Sequence, residues 1–182
     1  MKKKITVMTK MERIAAAIRG DDVDTVPYSL WSHLPLIDLD PVKNAEQTYG
    51  FCKTYDVDIL KTMNNGMYSV EDFGAVADYS EIAGGGAAKI VSTPVHRPKD
   101  WLDLEPVSVN AGALAREQEY LRLLLDKTRG TVPVIFTVFS PLTTAYKLCP
   151  DLMRHVAEGF GEEVKAGLRA ITESTCALVQ RV

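Results

Sequence analysis

The sequence has few cysteines, and their spacing excludes a disulfide framework. Its 182 residues include 3 cysteines, an odd number without a CxxC pair: Cys52, Cys149 and Cys176. Disulfide-stapled domains carry dense, even sets of cysteines, and cysteine-based zinc motifs need paired neighbours. We therefore expect reduced thiols with packing roles, as in a cytoplasmic protein, and no metal site in this chain.

The chain also lacks a long apolar run and an excess of charge of one sign. No stretch approaches the roughly 20 apolar residues that span a bilayer. Thr6, Thr9 and Lys10 interrupt the region where a secretory signal would be apolar. The net charge of -3 gives no electrostatic reason to expect nucleic acid or an anionic membrane as partner. These absences predict a cytoplasmic protein with neither partner, and Lys2–Lys4 are expected to form a solvated N-terminus.

Nucleotide and metal motifs are missing as well. The triple glycine Gly84–Gly86 lacks the Gly-Lys-Ser/Thr ending of a P-loop and a strand directly before it, and the sequence contains no HExxH, EF-hand or GxGxxG pattern. What is present is an ordinary globular composition, 46% hydrophobic and 25% charged, without a linker. We predict one domain over residues 1–182.

Helices and strands are predicted to alternate along the chain. Helical spacing and caps predict helices at Thr9–Arg19, from Asp40-Pro41 onward, at Leu114–Lys127, and from Pro150-Asp151 through Ile171. Apolar, β-branched segments predict strands at 26–31, 56–63 and 132–139, an extended segment at 88–92, and the start of a further strand at 176–179. Strands separated by helices indicate right-handed βαβ units with a parallel sheet and outer helices.

Four stretches resemble, in order and spacing, the N-terminal half of uroporphyrinogen decarboxylase family proteins. They are Met11–Ile14 with Arg19-Gly20 and Val26-Pro27, then Tyr55–Leu60, then Ser69–Gly74, and finally Val132–Phe136 with Ser140–Thr143. The resemblance implies an α/β fold that forms about half of a TIM (β/α)8 barrel. A complete barrel needs roughly 250 residues. We therefore expect a longer parent protein or a homo-oligomer that completes the sheet.

The resemblance implies two enzyme activities for the parent protein, on a tetrapyrrole or a corrinoid-linked small molecule. The first is a cofactor-free carboxy-lyase reaction, the decarboxylation of uroporphyrinogen in porphyrin biosynthesis. The alternative is a corrinoid-dependent, zinc-thiol methyltransferase, whose zinc ligands would lie outside this chain. The family's arginine-rich stretch and catalytic aspartate have no counterparts here, which keeps the alternative open. A third interpretation is a non-catalytic fragment or assembly module, and this fragment alone is expected to be inactive.

Polar residues after the predicted strands are the candidate site residues, because barrel enzymes place catalytic groups at the C-terminal ends of strands. His33 follows the first strand and is predicted to act as a general acid or to donate to a carboxylate, with a backbone-bonded loop histidine as the alternative. Asn64, Asn65 and Tyr68 follow the second strand and are predicted to bind substrate, although Asn-Asn-Gly is also a common turn sequence.

The third strand is followed by hydroxyl groups. Ser140 and Thr143 are predicted to bind a carboxylate or phosphate-like group, or else to cap the next helix. Tyr146 is predicted to be a catalytic, substrate-facing phenol, with core packing as the alternative. Other polar residues are expected to be structural or solvated: the pair Glu71-Asp72 as a helix-dipole partner, and His96, Arg97, Arg154 and His155 on exposed surface.

Overall fold

The computed structural model describes residues 7–182, so the lysine run at 2–4 lies outside the described residues. The fold is mixed α/β, with many helices and a small parallel sheet. In chain order the elements are α1 (Lys10–Arg19), α2 (Pro41–Tyr55), β1 (Leu60–Lys61), α3 (Tyr68–Glu71), β2 (Val76–Asp78), β3 (Lys89–Ser92), α4 (Gly112–Thr128), β4 (Val134–Ile135), α5 (Pro141–Leu148), α6 (Leu152–Ala157) and α7 (Gly161–Val179).

The chain divides into two compact units. Unit 1 contains the described residues up to Asn64 together with Glu119–Thr137, and unit 2 contains Asn65–Gln118 together with Val138–Val182. The single domain expected from the sequence stays a prediction.

Capping fixes the helix boundaries in unit 1. The Thr9 hydroxyl accepts from the Glu12 amide at 3.3 Å, and the Glu12 carboxylate accepts from the Thr9 amide at 2.8 Å. Gly20 ends α1 with φ 75°, a left-handed conformation that glycine adopts without steric cost. The Asp40 carboxylate accepts from two amides at the start of α2. These boundaries confirm the helices predicted there.

Strands β1 and β4 pair in parallel, as predicted for the second and third strand segments. Leu60 lies opposite Val134, and Lys61 lies opposite Ile135. Only two residues of each predicted segment take part in the ladder. Pro133, directly before β4, has no N–H to donate to it. The pair packs on a core that α2 and the end of α4 share, formed by Ala45, Cys52, Val57, Leu60, Tyr120, Leu124 and Val132.

The core of unit 2 surrounds Trp101, which is fully buried. A Cβ atom at Gly167 of α7 would lie 2.6 Å from the Trp101 ring, so only glycine permits this approach. Leu148, Leu152 and Ile171 belong to the same buried cluster. Strands β2 and β3 form an antiparallel pair. The sequence predicted β3 as extended but did not predict β2.

The predicted strand at residues 26–31 is wrong, since the chain forms no strand there. The Asp58 amide donates to the Tyr28 carbonyl at 2.9 Å, but the Tyr28 amide donates to the Asp58 carboxylate at 3.1 Å. A side chain therefore takes the place of the second ladder partner, and Pro27 lacks a donor.

Two predictions near the C-terminus are also wrong. The strand predicted to begin at Cys176 belongs to α7, where Leu178 is buried and Val179 is exposed, as on an amphipathic helix. The long helix predicted from Pro150 through Ile171 is two helices, α6 and α7. Gly159, with φ 96°, separates them, because this backbone conformation cannot continue a right-handed helix.

Within residues 7–182, no helix has both the length and the apolar character needed to cross a bilayer. The cytoplasmic location stays a prediction.

The helix break yields a matched pair of glycine substitutions. Gly159→Ala is expected to lower the free energy of unfolding by about 1–2 kcal/mol, because it forces a Cβ into a positive-φ conformation. Gly161→Ala, at the start of α7 with open space around it, is expected to raise it by up to about 1 kcal/mol. Urea denaturation measures both values. Equal effects of the two substitutions would contradict the break.

Candidate functional site

In unit 1, Arg13 joins two aspartates. Its Nε and Nη2 donate to the Asp24 carboxylate at 2.7 and 2.9 Å, and its Nη1 donates to Asp58. The three side chains are 4–13% exposed. The carboxylates raise the pKa of Arg13, and the guanidinium holds the pKa of Asp24 well below its usual range. Because Asp58 also binds Tyr28, Arg13 fixes the segment that leads to His33.

Beyond this ion pair, unit 1 carries an exposed aromatic and cationic group, which we call the Trp31 cluster: Trp31, His33 and Lys61. The His33 ring lies edge-on to the Trp31 ring, with centroids 4.9 Å apart. Lys61 Nζ lies 4.0 Å from the centroid of the Trp31 ring. Trp31 and His33 are exposed, whereas Lys61 is half-buried, and burial lowers the pKa of Lys61. A cation, a ring face and an imidazole are thus held together.

Sequence reasoning missed Lys61 as a site residue. The predicted second strand ran to Met63, which placed Lys61 in the strand interior. In the structure β1 ends at Lys61. Lys61, and not a residue after Met63, therefore stands at the C-terminal end of the strand.

Asn64 lies in a buried network of unit 1 and is 8% exposed. Its Oδ1 accepts from the Thr62 hydroxyl, which in turn accepts from the Thr137 amide at 3.1 Å. A second network in unit 1 centres on the Tyr120 hydroxyl, which accepts from the Met63 amide at 2.8 Å. These bonds hold the chain that leaves β1, so the role of Asn64 in the structure is to fix the local backbone.

Asn65 in unit 2 has the geometry of a turn residue and is 2% exposed. Its Oδ1 accepts from the Met67 amide at 2.8 Å and from the Tyr79 hydroxyl at 3.3 Å. A side-chain oxygen that accepts from the amide two residues on is the Asx-turn pattern. The turn interpretation of this segment fits these contacts.

Tyr68 is 1% exposed, and its ring centroid lies 5.4 Å from that of Phe139. It lines a cavity of about 20 Å³ together with Ser69, Phe73, Leu114, Val138, Phe139, Thr144, Ser174, Thr175 and Leu178. Such a volume accommodates about one water molecule. Burial raises the pKa of Tyr68 to about 12, although a hydrogen bond with the Phe139 backbone acts in the opposite direction.

Ser140 and Thr143 form the start of α5. Ser140 Oγ accepts from the Thr143 amide at 3.1 Å and lies 2.9 Å from the Thr143 hydroxyl. This is the capping alternative that the sequence left open, and both residues remain exposed. Tyr146, on the same helix, is 56% exposed, so it does not pack in the core.

Lys147, next to Tyr146, was not singled out in the sequence. Its Nζ donates to the Gly66 carbonyl at 2.6 Å and lies 4.0 Å from the Phe139 ring centroid. Burial lowers the pKa of Lys147. This contact links the loop after β1 to α5. The sequence does not reveal it, because Gly66 lies 81 residues before Lys147.

The acidic pair Glu71-Asp72 has structural partners. The Asp72 carboxylate accepts from the amides of Ala113 and Leu114 at 2.7 and 2.9 Å, which satisfies free donors at the start of α4. Glu71 accepts both Nη donors of Arg116 at 3.1 and 2.9 Å. Asp72 thus interacts with the dipole of α4, and not with that of α3, whose C-cap it forms.

The prediction that His155 is exposed is wrong, because it is 1% exposed in the core of unit 2. Its Nδ1 accepts from Trp101 Nε1 at 3.1 Å and lies 3.8 Å from the Cys149 sulfur. The indole donor satisfies Nδ1 of the buried imidazole. His96, Arg97 and Arg154 are exposed as predicted.

The cysteines divide between packing and surface. Cys52 and Cys149 are buried, in agreement with the packing role, whereas Cys176 is exposed, contrary to it. Among residues 7–182, no group of three His, Cys, Asp or Glu side chains is placed to hold a metal ion.

Comparison with known proteins gives a fold likeness. No protein-family model and no curated protein matches the chain. A solved structure, a methyltransferase from Methanosarcina mazei, has a similar fold with a TM-score of 0.73 and 18% sequence identity. The match covers 96% of this chain and 56% of that one, so the chain spans little more than half of its structural neighbour. Identity at this level shows the fold alone.

The buried phenol of Tyr68 predicts an alkaline dependence of stability. An unfolded tyrosine ionises near pH 10, whereas the folded Tyr68 stays neutral up to about pH 12. Its contribution is therefore complete below pH 10 and is lost as the pH rises towards 12, by roughly 2 kcal/mol. Denaturation at pH values across this range should show that the free energy of unfolding falls less steeply with pH for Tyr68→Phe than for the original protein. Tyr146→Phe, an exposed control, should keep the original slope, and equal slopes for both variants would refute the assignment.

Proposed function

We propose that the chain is the N-terminal half of a (β/α)8-barrel enzyme related to the uroporphyrinogen decarboxylase family, and that the enzyme transfers a methyl group from a corrinoid to a thiol. The supporting observation is the fold likeness to a methyltransferase over 96% of the chain. The parallel β1–β4 pair agrees with a barrel segment. Coverage of 56% of the neighbour's length agrees with a chain that forms about half of such a barrel.

Methyl transfer is preferred to decarboxylation for two reasons. The solved structure with a similar fold is a methyltransferase, and this likeness supports methyl transfer. The segment Trp31–Asp38 holds a histidine and no arginine, whereas a substrate with several carboxylates calls for several cations. The non-catalytic interpretation has no specific observation in its favour.

The donor set of this chain does not fit the zinc that such methyltransferases use. Zinc that activates a thiol takes three protein ligands, and residues 7–182 provide no such group. We propose that the ligands come from a part of the enzyme outside this chain.

Within the proposal, the exposed residues contact substrate. In unit 1, His33 is assigned a catalytic position as a hydrogen-bond donor. In unit 2, Tyr146 is assigned the same role, and the hydroxyls of Ser140 and Thr143 are assigned to bind a polar group. The amides of Asn64 and Asn65 and the phenol of Tyr68 are buried, and we assign them a supporting role for the backbone that follows β1.

An activity assay on the product of the full coding sequence tests the proposal. We expect the enzyme to consume methylcobalamin and form a methylated thiol, without releasing CO2 from uroporphyrinogen. His33→Gln should lower kcat/KM by roughly 10²-fold, the lower end for a donor that acts in the transition state. His96→Gln, a change at an exposed loop histidine, is the control and should leave kcat/KM unchanged.

Two outcomes would overturn the proposal. CO2 release without methyl transfer would establish the decarboxylase. Absence of both activities in a folded, full-length, zinc-loaded protein would favour the non-catalytic interpretation.

A further inference from the structure

Among the described residues of unit 1, Lys61 differs from the other half-buried cations because no carboxylate pairs with it. Within residues 7–64 and 119–137, Lys10 pairs with Asp56, Arg13 with Asp24 and Asp58, and Lys127 with Glu46. Over the same residues no carboxylate oxygen lies within 4.0 Å of Lys61 Nζ. Lys61 instead contacts the Trp31 ring.

This arrangement leaves a cation incompletely compensated. Burial disfavours the ammonium form, and a ring face returns only part of the lost hydration. A bound anion would supply the missing counter-charge. The ammonium also lies at the C-terminal end of β1, where ligands of parallel α/β sheets bind.

The neighbours of Lys61 add the other parts of a binding site. Trp31 is 48% exposed, so its ring can contact the apolar part of a ligand as well as Lys61. His33 lies edge-on to that ring and is exposed, so its ring N–H is available to an oxygen acceptor.

We propose that the Trp31 cluster binds the carboxylate of a small aromatic or apolar acid. The Lys61 ammonium supplies the charge, the His33 imidazole donates a hydrogen bond, and the Trp31 ring contacts the apolar part. This site does not depend on the reaction proposed above, and it is tested without measuring that reaction.

Lys53 provides a matched control within unit 1. Its Nζ lies 4.7 Å from the Tyr49 ring centroid, and within the described residues it has no carboxylate within 4.0 Å. Unlike Lys61, it is exposed and lies in a helix, away from a strand end. A difference in labelling rate between the two lysines would therefore be due to the site around Lys61 and not to the lysine–ring contact alone.

Labelling with pyridoxal 5′-phosphate, an anionic aldehyde, tests the site. The lysine amine condenses with the aldehyde, one water leaves, and added borohydride reduces the imine to a stable secondary amine. Peptide mapping then gives the labelling rate of each lysine. We expect Lys61 to react about tenfold faster than Lys53, because burial lowers the pKa of Lys61 and because the site attracts the anionic reagent. Benzoate should slow labelling of Lys61 and leave Lys53 unchanged.

The His33→Gln variant separates a ligand site from a merely reactive lysine. It should retain fast labelling of Lys61 but need several-fold more benzoate for the same protection. Equal rates at Lys53 and Lys61 would overturn the proposal, as would labelling of Lys61 that benzoate does not slow. A failure of methyl transfer in the full-length enzyme would leave these results unaffected.

Discussion

A single guanidinium group holds the early part of unit 1 in place. Arg13 extends from α1 to Asp24 and Asp58 at once, which a planar, multi-donor group can do and a lysine ammonium cannot do with the same geometry. Asp58 in turn binds both backbone groups of Tyr28. Side chains together with one backbone hydrogen bond, rather than a sheet ladder, therefore fix the segment that leads to the Trp31 cluster.

The elements that could be predicted from the sequence are those with local causes. The capping of α1 by Thr9 and Glu12, and its end at Gly20, depend on neighbouring residues alone. Strand pairing depends on distant partners, so the apolar segment at 132–139 reads as a long strand while only Val134–Ile135 pairs with β1. The apolar run at Cys176–Val179 fits a helix or a strand equally well, and the preceding turns of α7 decide between them.

The same division holds for the candidate site. The turn at Asn65 and the cap at Ser140 were foreseen as alternatives because they involve residues two or three positions away. The burial of His155 was not foreseen, since its partner Trp101 lies 54 residues earlier. Lys61 was not foreseen because its contact is with Trp31, which lies far from it in the sequence.

Amide hydrogen exchange on an Arg13→Gln variant tests this central claim most directly. If Arg13 holds residues 24–31 through Asp24 and Asp58, the amides of Tyr28 and Asp58 should lose protection in the variant, while α7 in unit 2 keeps its own. Arg19→Gln, which removes only an exposed pair with Asp21, should change neither amide. Unchanged protection of Tyr28 and Asp58 in Arg13→Gln would contradict the account.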